Sequence, residues 1–156
     1  MKKKGILIII ISLLTLFLSA KLFIPREINL RGSGGWGLEN KYSRMYNPKT
    51  VEIIKGKAAS IHVITPIRGM YQGVCVIVKN GSEIIPIHLG PEWYVENQDL
   101  AVEPSDTIEI TGSRINLDGE SAIIASEIKK GNKRMVLRDD KGFPRWSAWR
   151  SAAINN

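Results

Sequence analysis

The sequence contains one cysteine, two histidines and few aromatic residues, with Phe, Trp and Tyr at 7%. Each scarcity closes off a class of chemistry. A single thiol, Cys75, cannot form an internal disulfide, so packing must hold the fold even in an oxidising compartment. Its flanks, Val74 and Val76 to Val78, mark it as a small buried strand residue rather than a reactive thiol. No Cys-x-x-Cys-His is present for covalent haem, and no lipobox-like cysteine follows the N-terminal apolar run. His62 and His88 could supply two metal ligands at most, and only if their strands were adjacent, so neither a metal nor another cofactor is expected. There is no Gly-x-Ser-x-Gly around a nucleophile. Asp139-Asp140 stands beside Lys141-Gly142, where turn formation explains it better than acid–base work. The expectation is a protein without catalytic activity.

The chain does have a charge-free apolar run. Met1-Lys2-Lys3-Lys4-Gly5 leads directly into Ile6 to Ala20, a basic start followed by a hydrophobic stretch. A bilayer core needs about 20 helical residues, which the run reaches by continuing past Lys21 to Ile24, with Lys21 reaching to the interface. Cleavage after Ala20 would place bulky Leu18 where signal peptidase sites carry a small residue. A retained anchor is therefore favoured, with a cleaved signal as the alternative. In either case the lysines stay on the cytoplasmic side and the remainder is exported. The expected location is an inner membrane, crossed once, with the N-terminus cytoplasmic and the domain extracytoplasmic.

That segment also distorts the charge. Of 22 Lys and Arg, four (Lys2, Lys3, Lys4 and Lys21) belong to it, leaving 18 against 15 Asp and Glu, a net of +3 for the exported part. The excess gathers at the C-terminal end, where Lys129, Lys130, Lys133, Arg134, Arg138, Lys141, Arg145 and Arg150 face only Asp139 and Asp140.

Residues 25–49 read as a glycine-rich linker. Arg31 to Gly37 is not a phosphate loop, because no strand precedes it and no Gly-Lys-Ser/Thr follows. Trp36, Tyr42 and Tyr46 are more hydrophobic than a tether needs, so part of this segment is expected to lie against the domain. From Thr50 the pattern is β. Val51 to Ile64 reads as a long strand bent at Gly56. Thr65 to Met70 is a loop. Tyr71 to Lys79 and Ser82 to His88 are strands joined by the Asn80-Gly81 hairpin signal. Pro91 and Glu92 suit a first helical turn, giving a short helix to about Gln98. Thr107 to Thr111 is a strand ending at Gly112. Arg114 to Leu117 and Ala122 to Ile128 flank the Asp118-Gly119 turn, and Met135 to Leu137 reads as a last short strand. Strand, strand, strand, short helix, strand, strand is the order of an OB-fold, so residues 50–138 are expected to form a mainly β, OB-fold-like five-stranded barrel with one short helix. The alternative is an SH3-like barrel. Residues 139–156 form a basic Trp/Arg tail, and residues 1–24 the transmembrane anchor or signal segment.

Several runs carry a resemblance. The span Gly56 to Lys129 resembles bacterial OB-fold periplasmic proteins of the stress-tolerance type. Tyr46 to Glu52, Thr65 to Met70, His88 to Tyr94 and Trp146 to Arg150 together resemble anchored bacterial proteins of the magnetosome MamS/MamX domain type. The resemblance implies an accessory binding role in the envelope or a magnetosome membrane, with a protein partner there. The c-type haem motifs of some magnetosome proteins are absent, so electron transfer is not implied.

OB-folds bind ligands on strands two and three and the flanking loops, here Thr65 to Gln72 and Asn116 to Ser121. Arg68 and Tyr71 can present a cation and a ring beside Gly69, and His88 ends the third strand. The tail offers Arg145, Trp146, Trp149 and Arg150, whose indoles and guanidinium groups suit an anionic headgroup surface. They would also suit stacked nucleic acid, but export makes that the poorer partner. Against these stand plain readings: an exposed arginine in an ordinary turn, and a tryptophan packed over the end of the barrel with its arginines in solvent. A metal-handling or redox accessory and a nucleic-acid-binding OB protein are the competing functions.

Overall fold

In the computed structural model, which describes residues 33–147, the fold is mainly β. The strands are β1 (Val51–Ile64), β2 (Gly73–Asn80), β3 (Glu83–Pro91), β4 (Thr107–Leu117), β5 (Glu120–Lys130) and β6 (Lys133–Val136), with the short helix α1 (Glu92–Val95) between β3 and β4. The expected anchor over residues 1–24 lies outside the described residues. Among the described residues, no helix is long and apolar enough to cross a membrane.

The sheet runs β3-β2-β1-β4-β5-β6, and β3 also pairs with β5. The β3–β5 pairing is parallel, through Ile87↔Ile123 and His88↔Ile124, whereas the other ladders are antiparallel. Five strands thus pair in a closed circuit, and β6 extends it at β5. Alternation along the strands explains the interior. Val76 and Val78 on β2 stand opposite Ile87 and Ile85 on β3, and all four are buried with Ile54, Ile108, Ile110 and Ile128. Each fully buried side chain of this size removes about 1.5–3 kcal/mol of apolar surface from water.

Two local expectations need correction. Gly112 does not end a strand: β4 continues to Leu117, with a register shift between Thr111 and Gly112. A side chain there would strike the Ile124 carbonyl and Ile123, so the glycine permits a close backbone approach inside the strand. The helix stops at Val95 instead of Gln98, although Asn97 and Gln98 still donate to the Tyr94 and Val95 carbonyls. The last short strand expected at Met135 to Leu137 is present as β6, beginning two residues earlier and ending at Val136.

The aromatic part of the segment before β1 lies against the domain, as its composition predicts, and is part of the core. Trp36 and Tyr42 are fully buried and Tyr46 nearly so. Trp36 packs edge-on against both Tyr42 and Trp146, and its ring lies where a side chain at Gly73 would be. The segment is anchored by backbone contacts: Tyr71 N–H donates to Gly34 at 2.7 Å, and Asn47 N–H donates to Ser113 Oγ at 3.0 Å. The two chain flanks therefore add an aromatic layer to the sheet, which its own strands do not supply.

Candidate functional site

The residues singled out in the sequence separate into two groups. Arg68 and Arg145 are exposed and Tyr71 is partly so. His88 and Trp146 are buried. Trp149 and Arg150 lie outside the described residues.

His88 sits on β3 opposite Cys75, and its Nδ1 is hydrogen-bonded to the Tyr42 hydroxyl at 2.9 Å, with the rings stacked. Burial lowers its pKa to about 4, keeping the ring neutral. Burial also pushes the Cys75 thiol up to about 11 and raises the Tyr42 phenol. All three groups are thus uncharged at neutral pH, as suits a core cluster. Trp146 donates its indole N–H to the Trp36 carbonyl at 2.9 Å and packs edge-on against Tyr94. Its ring is spent inside the fold and cannot stack on a ligand.

Half of the C-terminal basic cluster is committed as well, three residues in ion pairs and Arg138 by burial. Lys129 pairs with Glu109 and Glu127, Lys130 with Asp106 and Arg134 with Glu127. Arg138 is only 2% exposed. Its guanidinium lies 4.8 Å from the Trp146 ring and 5.7 Å from the Tyr46 ring, and burial lowers its pKa. Nη1 donates to Gly142 O at 3.4 Å, while Nε and Nη2 have no hydrogen-bond partner among the described residues. It lines a cleft of about 350 Å³ with Tyr46, Thr111 and Ser126, but Glu127, Asp139 and Asp140 line the same cleft.

The open surface of interest lies at the far end of β1. This strand pairs with β4 only over Val51 to Lys57 and with β2 from Lys57 to Ile64. At Ala58 the free edge is closed by the 103–106 turn, since Ala58 N–H donates to Asp106 O and Ser105 N–H to Ala58 O. From Ala59 onward, that edge has no strand partner among the described residues. Ile61 is 37% exposed and Val63 53%. They face the same side as their cross-strand partners Val76 and Val74. With Leu89 and Leu100 these four line a groove of about 260 Å³, and Glu92 and Glu96 stand at its border. Neither carboxylate has an ion pair among the described residues. The β1–β2 loop carrying Arg68 and Tyr71 continues from this strand. His62, between Ile61 and Val63 on β1, also lines the groove; it is exposed and bonded to Ser60 Oγ through Nε2 at 2.8 Å.

The groove was not among the residues singled out in the sequence. Its trace was there: Ala58 to Ile64 is a run of strand residues with no charge and no proline, the devices that usually guard an edge. Among the described residues, no three His, Cys, Asp or Glu side chains cluster as a metal set.

Among solved structures, a chain of the crystal structure of the S. pombe Stn1-ten1 complex is similar, with a TM-score of 0.39 and 14% identity over 77% of this chain and 92% of that one. No curated protein sequence matches. The profile of the MamS/MamX magnetosome protein family matches residues 50–135, from just before β1 into β6. That match takes in more than half of the 156 residues, and the chain belongs to the MamS/MamX magnetosome protein family.

Proposed function

We propose that this protein is a non-catalytic binding or assembly module of the magnetosome, held to the membrane by its N-terminal segment with the folded domain on the extracytoplasmic side. The domain is read as an OB-like barrel, because the closed circuit β1-β2-β3-β5-β4 with a helix between β3 and β4 is the arrangement of that fold. The observation that carries the binding role is the apolar groove beside the unpaired end of β1, where Ile61 and Val63 remain exposed. Apolar concavities with a few polar groups at the border are the usual form of a recognition site. A binding role over catalysis is supported by the state of the reactive groups: His88 is neutral and bonded to Tyr42, and the Cys75 thiol is buried and protonated. A binding role over a nucleic-acid one is supported by the ion pairs that occupy Lys129, Lys130 and Arg134.

The test is cross-linking and recovery of partners from native membranes with the full-length chain, comparing wild type with Val63→Asp, Arg68→Ala and Tyr71→Ala. Loss of a specific partner in any of the three supports the reading. Recovery indifferent to all three overturns the placement of the site. Stoichiometric metal or a visible chromophore in the purified full chain would overturn the non-redox reading.

A further inference from the structure

We infer that the open edge of β1 accepts an added strand from a protein partner, an extended segment whose alternate side chains are apolar and whose flanks carry lysine or arginine. This rests on the binding role proposed above and names the chemistry of the partner.

An unpaired strand edge presents N–H and C=O groups that another chain can complete, and proteins usually guard such edges with charge or proline. Among the described residues, the edges of β6 and of the end of β1 differ. β6 carries Lys133 and Arg134, whereas Ala58 to Ile64 of β1 carries no charged residue and no proline. The register shift between Ala58 and Ser60 lies at the start of that edge, and pairing with β2 is regular from Ser60 to Ile64, so the last five residues keep strand geometry while their outer edge is free. Strand addition combines main-chain hydrogen bonds for affinity with pockets for alternate side chains for specificity. The second element is present: the groove reaches from Ile61 and Val63 across Val74 and Val76 to Leu89 and Leu100.

Charge selects the occupant. Glu92 opens α1 and Glu96 follows one turn later, with Glu96 N–H donating to Glu92 O. Two carboxylates four apart on one helical face repel each other, and no cation relieves either among the described residues. A basic side chain flanking the inserted strand would. A second copy offering its own β1 edge, flanked by Lys57 and Arg68, is the competing occupant, and sedimentation distinguishes it. An acidic or nucleic-acid ligand would add to the repulsion.

The experiment uses the full chain in detergent and two fluorescent eight-residue peptides, one alternating valine with lysine and one alternating valine with glutamate. The lysine peptide is expected to bind and to slow amide exchange within residues 60–64. Affinity is expected to fall at least tenfold for the glutamate peptide, for the Glu92→Gln, Glu96→Gln double variant and for Val63→Asp. Val63 is half-exposed, so the variant should fold, which circular dichroism checks. No binding, equal affinity for both peptides, or protection outside residues 60–64 overturns the inference. So does protection of that edge in the free protein together with dimers in sedimentation, which would assign it to a second copy. If the peptides fail while partner recovery still depends on Arg68 or Tyr71, the strand-addition inference falls and the binding role stands.

Discussion

The indole N–H of Trp146 donates to the main-chain carbonyl of Trp36 at 2.9 Å, joining residues 110 positions apart. The Trp36 indole in turn donates to the Tyr71 carbonyl at 2.9 Å. The N-terminal and C-terminal flanks are thereby fastened to each other and to the start of β2, and the aromatic layer behaves as part of the core.

Trp36→Ala is therefore expected to cost about 3–5 kcal/mol, the usual range for removing a buried ring. Trp146→Phe, which keeps a ring and loses the N–H donor, should cost nearer 1 kcal/mol. Gly73→Ala tests the same packing from the other side, because its Cβ would strike Trp36 Cζ2 and sit 2.8 Å from the Gly90 carbonyl. About 1–3 kcal/mol is expected for that overpacking. Urea denaturation of the three variants measures all of these, and a neutral Trp36→Ala would show the layer to be dispensable.

Acid should destabilise the fold through His88. Its folded pKa of about 4 lies below the ordinary 6.5, so between these values the unfolded chain binds a proton that the folded one does not. Stability from this group is complete above pH 6.5 and declines as pH falls toward 4, by on the order of 3 kcal/mol in all. Below pH 4 both states are protonated and the slope from this residue ends. His88→Phe loses the Tyr42 hydrogen bond at every pH, yet its stability should vary less between pH 6.5 and 4. An unchanged slope would count against the assignment.

Arg138 invites the opposite kind of substitution. Its guanidinium is buried with one long hydrogen bond, and the two aromatic rings beside it return about 0.5–2 kcal/mol against the cost of desolvation. Arg138→Met keeps the stem and removes the charge, and thermal melting should place it within about 1 kcal/mol of wild type or above it. Arg138→Ala should melt lower, because it also removes the packing between Tyr46 and Trp146.

Arg114 ties β4 to two other strands, with Nε 2.6 Å from Glu52 and Nη1 2.8 Å from Glu83. About one-third of its side chain is in solvent, so Arg114→Met should cost only about 1 kcal/mol. The difference from wild type should shrink in about 1 M salt, where screening shortens to a few ångströms. Denaturation at two salt concentrations checks both statements.

The strands were legible because their signals are local. Asn80-Gly81 with Gly81 at φ 58 makes the hairpin that its sequence announces, and the Val and Ile of β2 and β3 alternate as a buried sheet requires. The Gly112 boundary was misread because a glycine inside a strand and one ending it look alike in sequence. Which applies depends on whether another backbone comes close, as that of Ile124 does here. His88, Trp146 and Arg138 were also illegible in role, since polar tips on aromatic or long side chains serve ligands and cores alike. Partners 46 and 110 positions away placed His88 and Trp146 in the core.

By itself, the sequence determined that packing without disulfides must hold this fold, that residues 25–156 are far less basic than the whole, and that residues from Val51 onward read as strands. These follow from composition and short-range periodicity. Only tertiary structure decided how the aromatic residues before β1 pack, that Lys129, Lys130 and Arg134 of the basic cluster are ion-paired, and that β1 keeps a free edge beside an apolar groove. Each of those depends on which distant residues meet, and the closing of the strand circuit sets that.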